Sequence, residues 1–287
     1  MDTKRVGLGL ILLLASYPVF AAESDDPGDK PFKPHWGNEI GFSHTNQQAG
    51  QNTNNLNYTG TYHLDESGSF VSGEVSVSTQ RVAGAVAKTG TLTFSGGTAF
   101  GIFSPSLSVG FEGGESALKQ LNAGLNLGFQ VADPFSISLG VGASAGNHQE
   151  DLANYFPLLQ TLGISAMGQF DTASLSAYLG LSYVLNDWWT VSLTPGLGYD
   201  VTYRVHVIDY PKYQKDVNLT DRTATLALGM DFTIAKGWVL GVSGQGGQEY
   251  APAGTFYSDL AGGTVTLTTD TTTTYAAGTV SISYSFN

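Results

Sequence analysis

No cysteine occurs in the 287 residues, which removes disulfides, thiolate metal sites and thiol nucleophiles together. Basic side chains are scarce: Lys and Arg total 12 against 24 Asp and Glu, a formal net charge of −12. Nucleic acid is therefore not an expected partner, because its phosphates are bound by clustered cations. Charged residues of both signs make up only 13% of the chain, which suits a soluble enzyme poorly. After the first twenty or so residues there is no apolar run of about 18 residues, so no transmembrane helix is expected.

The amino terminus carries Lys4-Arg5, ten apolar or small residues from Val6 to Ala15, and a small-residue exit at Ala21-Ala22. That order predicts a secretory signal peptide over residues 1–21. Its removal takes away Asp2, Lys4 and Arg5 and leaves 10 basic against 23 acidic side chains, a formal charge of −13. Residues 22–35 hold three prolines and four acids and read as a flexible periplasmic lead-in. The remainder, 36–287, reads as one domain, a length that all-β barrels commonly reach as a single unit.

From Trp36 onward the chain alternates apolar and polar residues. Leu121, Ala123, Leu125, Leu127, Phe129 and Val131 share one parity and Asn122, Gly124, Asn126, Gly128 and Gln130 the other. The same alternation places strands near 36–45, 54–64, 69–80, 90–112, 120–131, 134–146, 160–170, 174–186, 188–205, 221–234, 238–249 and 274–286. A secreted chain with strands of this kind is expected to be all-β, a transmembrane antiparallel up-and-down β-barrel of about twelve strands. Closing the count at twelve requires 90–112 to be one bulged crossing. If Ser104 to Ser106 is a turn and 147–160 hides another strand, the count is fourteen. Counting back from a periplasmic carboxyl terminus makes the loop 206–220 external and the turn 186–187 internal. It then makes 171–173 and the Pro134 turn external and puts 147–159 on the periplasmic side.

The final stretch, Thr279-Val-Ser-Ile-Ser-Tyr-Ser-Phe286, resembles the last-strand signal of Gram-negative outer-membrane barrels, with Asn287 following the aromatic as a departure. The resemblance is to a class, not to one family. It implies outer-membrane residence, insertion by the outer-membrane assembly machinery and a porin-like role, and it carries over no functional residues. Trp36, Phe135, Trp188, Trp189, Trp238 and Phe286 stand at strand ends and are expected to form an aromatic girdle at headgroup depth.

On the inward parity the residues are mostly small and polar, as in Ser136, Ser138, Gly140, Gly142 and Ser144. Such side chains cannot plug a bore, so either water fills it or another segment, 147–159 being one option, folds inside. The in-strand charges expected on the lumen parity are Glu39, Glu74, Glu112, Asp200, Arg204, Asp231 and Glu249. Rings of acids favour cations, whereas acids solvated at different heights select nothing, and both readings stand. The expectation is a passive outer-membrane channel for small polar solutes or ions, with weak cation preference as one option. The alternative is a closed structural or surface-recognition barrel using the loops 206–220 and 250–273. A lipid-modifying enzyme is disfavoured: His44 points to the opposite face from Ser43, and His148 with Glu150 and Asp151 matches no ligand spacing. No cofactor, metal site or catalytic residue is expected.

Overall fold

The computed structural model describes residues 32–48, 51–82, 85–115, 119–152, 166–207, 214–258, 263–266 and 270–286. The signal-peptide reading and most of the lead-in lie outside them. Among the described residues fourteen strands follow in order: β1 His35–Gln47, β2 Gln51–His63, β3 Phe70–Val82, β4 Ala85–Gly97, β5 Phe103–Gly114, β6 Lys119–Ala132 and β7 Phe135–Asp151. Then come β8 Met167–Asn186, β9 Trp189–Val207, β10 Gln214–Ala235, β11 Trp238–Ala251, β12 Thr255–Ser258, β13 Gly263–Thr266 and β14 Thr271–Phe286. Each of β1 to β10 pairs antiparallel with the next, β11 pairs with β14, and β14 returns to β1, so twelve strands close a cylinder. The small β12–β13 hairpin lies outside that ring and pairs with the far end of β10 at Val217–Phe256 and Asn218–Thr255.

The register fixes the geometry of the cylinder. Successive partners run from Trp36 through Tyr62, Val71, Gly96, Leu107, Leu125, Val141, Ala177, Leu197, Ala224 and Gln248 to Thr274. Continued along the line of β1 from the Gln47–Ala277 pair, the walk closes with a stagger of fourteen residues. Twelve strands with that stagger tilt by about 40° and enclose a backbone cylinder of roughly 11–12 Å radius. Each residue then rises about 2.5 Å along the axis, and each step to the next strand climbs about 3 Å.

Burial is inverted relative to a soluble protein. Leu107 is 64% exposed and Leu197 66%, whereas Ser76 (8%), Asn126 (9%) and Thr194 (6%) are buried. Alternation puts the apolar side chains outside and the polar ones on the inner wall. In water such an exterior would be an apolar patch far larger than monomers tolerate; against hydrocarbon it is the required surface.

The end that carries the first and last strand termini also carries the tight connections 64–69, 98–102, 133–134, 187–188 and 236–237. The two longest connections, 152–166 and 252–270, join strand ends at the other end. Tight turns with the termini mark the periplasmic end of outer-membrane barrels and long loops the external one. The turns are built by local chemistry. Gly237, at φ +77°, takes the left-handed conformation in the two-residue Lys236–Gly237 turn, and a Cβ there would stand 2.5 Å from the Ser285 carbonyl oxygen. In the 64–69 turn the Asp65 carboxylate accepts the Ser67 hydroxyl at 2.6 Å and the Ser69 amide at 3.0 Å.

Four sequence expectations need correction. Residues 90–112 are two crossings, β4 and β5, reversed at Gly101–Ile102 and not at Ser104–Ser106: Phe100 and Phe103 exchange backbone hydrogen bonds of 2.7 and 3.2 Å around a glycine at φ +61°. Residues 171–173 are no turn but part of β8, the same strand that 160–170 and 174–186 were expected to divide. The Pro134 turn lies at the periplasmic end, and residues 147–151 continue β7 toward the external end. The rest of 147–159 beyond Leu152 is outside the described residues. One strand divided and two strands merged offset each other, which is why twelve holds.

Candidate functional site

The inner wall is a sheet of hydroxyls, amides and glycines. Ser72 and Ser95 bond across β3 and β4 at 2.6 Å, and Thr45 bonds Thr279 across β1 and β14 at 2.9 Å. On the opposite side the Gln120 amide donates to Ser144 at 2.5 Å, Ser144 bonds Ser174 at 2.5 Å, and Ser174 bonds Asp200. Larger side chains share the inward parity as well, His148, Phe170 and Tyr275 toward the external end and Tyr178 lower down: the Tyr178 hydroxyl donates to Asn126 Oδ1 at 3.0 Å, and its ring lies flat over Gly140, where a Cβ would fall 2.1 Å from the ring. Glycine at 140 is thus what lets the tyrosine lie against the wall and out of the bore. Every described strand lies in the wall or, as β12 and β13, on the external end of β10, and at that end the inward Phe170 is buried against His148.

Six acids expected on the lumen parity, Glu39, Glu74, Glu112, Asp200, Asp231 and Glu249, have partners of inward parity in the register. Thr59 lies between Glu39 and Glu74, Gln120 opposite Glu112, Gly241 opposite Asp231 and Thr223 opposite Glu249. Ser285 also donates to Glu39 at 3.2 Å. Arg204 is placed differently. A register shift between Asp171–Arg204 and Thr172–Thr202 sets it opposite Asp171 and Asp216, off the parity of Asp200.

Pairing also brings in Asp221, which sequence reasoning passed over. It stands directly opposite Asp200 and shares its parity with Asp231, ten residues further along β10. That parity was readable in the sequence. One row of partners runs Ser285, Glu39, Thr59, Glu74, Thr93, Gly110, Asn122, Ser144, Ser174, Asp200, Asp221. Because the row climbs about 3 Å per strand, Glu39 and Asp221 are separated by roughly 27 Å along the axis, close to the height of an apolar band. On the same reckoning Asp231 lies near the level of Glu39, Glu112 lies part-way, and Glu249 lies near Asp200. The acids thus line the wall from one end to the other.

Of the strand cations, Arg81, Lys88, Lys119 and Arg222 fall on the outward parity and are exposed. Arg81 and Arg222 lie within β3 and β10, which run further than the sequence suggested.

All six expected girdle aromatics stand at the periplasmic end. Trp36 packs on Tyr62 at 5.1 Å, Trp188 on Trp189 at 6.0 Å, Trp189 on Phe232 at 5.7 Å, and Trp238 on Tyr284 at 4.7 Å. Tyr284 in turn stacks on Phe286 at 5.7 Å, and Phe103 with Phe129, 5.2 Å apart, adds a sector that the sequence reading lacked. Phe135 belongs to this end because the Pro134 turn does.

Among the described residues the histidines form no nucleophile–base pair. His44 faces outward and bonds Asn54 Oδ1 at 2.8 Å. His148 stacks on Phe170 at 5.3 Å, and His35 on His63 at 4.9 Å. His206 meets a carboxylate, Asp171, at 3.0 Å near the external end. No group of three metal-ligating side chains occurs among the described residues.

A closed twelve-strand barrel with an apolar exterior, a polar inner wall and a basal aromatic girdle defines the class: a transmembrane β-barrel of the outer-membrane type. Known structures of similar shape include outer-membrane channels and transporters. The KdgM porin is 14% identical over 87% of this chain and 99% of its own, with a TM-score of 0.47. The COG4313 outer membrane channel from Pseudomonas putida F1 is 12% identical over 91% and 99%, with a TM-score of 0.48. The Pseudomonas putida toluene transporter TodX is 9% identical over 88% of each chain, with a TM-score of 0.42. These are likenesses of barrel architecture alone. No family model matches the chain, and no curated protein does.

Proposed function

We propose that this protein is a passive outer-membrane channel for small polar solutes or ions, with a preference for cations. The observation that carries the reading is the inner wall: mostly small hydroxyl, amide and glycine positions, with Glu39, Glu74, Glu112, Asp200, Asp221, Asp231 and Glu249 spread along its height. Carboxylates in a narrow water column bounded by a low-dielectric wall raise the local cation concentration and repel anions. The outward parity of Arg81, Lys88, Lys119 and Arg222 supports the same reading, since it takes these four compensating charges away from the water column.

Planar-bilayer recording tests both halves. Conductance steps are expected from the purified chain, and in a KCl gradient the reversal potential is expected to favour K⁺. Asp200→Asn with Asp221→Asn and Glu249→Gln should move that potential toward zero at low salt. Absence of conductance rejects the channel; an unchanged potential in the triple variant rejects the role of the acids. A recognition barrel is the second reading, favoured by the β12–β13 hairpin that extends β10 beyond the ring at the external end. Deleting that hairpin should leave conductance intact if the bore is what matters.

A further inference from the structure

Four cations of the outward parity share a level. On the register, Arg81 in β3, Lys88 in β4, Lys119 in β6 and Arg222 in β10 lie within about 3 Å of one height, roughly 27 Å above the basal girdle. An apolar band is about 25 Å tall, so this level is the external edge of the hydrocarbon. Three of the four fall in the β3–β6 sector. Arg81 and Lys88 are diagonal cross-strand neighbours, about 7–8 Å apart, and Lys119 extends the set to about 19 Å of circumference. Below them the wall is continuous apolar surface, with Leu92, Phe111 and Leu121 exposed.

The sector's single outward acid is Glu115, and its carboxylate accepts the Lys88 backbone amide at 3.2 Å. None of Arg81, Lys88 and Lys119 makes an ion pair among the described residues. In a chain of net charge −12, such an unpaired set of cations at one level calls for an external anion. We propose that the β3–β6 sector binds a phosphorylated glycolipid of the outer leaflet, its phosphates held by Arg81, Lys88 and Lys119 and its acyl chains lying on the apolar wall beneath. The chemistry suits the position. Long basic side chains lay their stems along apolar surface and hold their charge at the interface, and cations at a headgroup level attract anionic lipid.

The test is native mass spectrometry of the whole chain, purified in detergent. The probes are bisphosphorylated lipid A, the same glycolipid with its phosphates removed, and phosphatidylglycerol. Bisphosphorylated lipid A is expected to be retained at least about tenfold better than the dephosphorylated form. That preference should be lost in R81Q/K88Q/K119Q and strengthened in E115Q, two exposed-site changes of opposite sign. R222Q, alone on the far wall, should leave it intact. Equal retention of the two glycolipids overturns the proposal, as does a preference that survives the triple variant. Phosphatidylglycerol displacing lipid A at equal concentration overturns the choice of glycolipid.

Discussion

Leu228 offers the most direct test of the barrel's inside-out chemistry. It lies on β10, 57% exposed, and the register places it close to midway between the basal girdle and the level of Arg222. Arginine at the midplane of a barrel's lipid face costs about 2–4 kcal/mol, equivalent to roughly 30- to 900-fold in the folding equilibrium. Ser281 on β14 lies at nearly the same depth on the inner wall, and Asp231 is its near neighbour across Gly241. Leu228→Arg should therefore lower stability by about 2–4 kcal/mol, while Ser281→Arg, wetted and facing a carboxylate, should change it by less than about 1 kcal/mol. Equilibrium unfolding in urea from phospholipid vesicles, followed by tryptophan fluorescence and by gel mobility without boiling, measures both. Equal penalties for the two variants would refute the assignment of faces, and with it the membrane-spanning cylinder.

Two further outcomes follow from local geometry. Gly140→Ala puts a methyl where the Tyr178 ring lies, so the ring must swing into the bore; single-channel conductance should fall, and Gly140→Ala with Tyr178→Ala should restore it. In the 64–69 turn the Ser67 and Ser69 donors hold the Asp65 carboxyl down at about 2, below its ordinary 3.8. A depressed carboxylate pKa means that its contribution is present above about pH 4 and lost as pH falls through 2. Proteolysis at this turn should rise over that window in the native chain and show no such step in Asp65→Asn.

The strands were legible because membrane barrels reverse the usual burial without weakening its period. Every second residue from Leu121 to Val131 is apolar, and the alternation survives in β8, β10 and β14. Turns were less legible. Gly101–Ile102 is flanked by Phe100 and Phe103, so nothing polar announces the reversal between β4 and β5. Asp171-Thr172 resembles a turn because β8 runs on past the hydrocarbon edge, where the lipid-facing parity no longer has to be apolar. These two misreadings kept the count at twelve but turned the intervening strands end for end, which is why Pro134 was assigned to the wrong face of the membrane. The acids were readable as inward-facing one strand at a time. Their arrangement was not, because the row from Glu39 to Asp221 depends on the register of nine successive pairs, and a bulge at Tyr203 removes Arg204 from the set.

Within the strands, Glu39, Glu74, Glu112, Asp200, Asp221, Asp231 and Glu249 share the inward parity, whereas Arg81, Lys88, Lys119 and Arg222 share the outward one at a single level. The two sets act on different media. Fields inside a water column enclosed by a low-dielectric wall are focused along it. A charge at the headgroup level is screened within about 8 Å at physiological salt, and under the glycolipid proposal it is neutralised by phosphate as well. The outer cations therefore cannot cancel the field of the inner acids, although only the thickness of the sheet separates them. The two properties should be separable by mutation: neutralising the outer set changes which lipid is carried and leaves the reversal potential alone, and neutralising the inner set does the converse. A chain in which the lipid-facing triple variant shifted ion selectivity as far as the lumen variant would show that the wall does not insulate the two surfaces, and the bore would then have to be wider and wetter than its register implies.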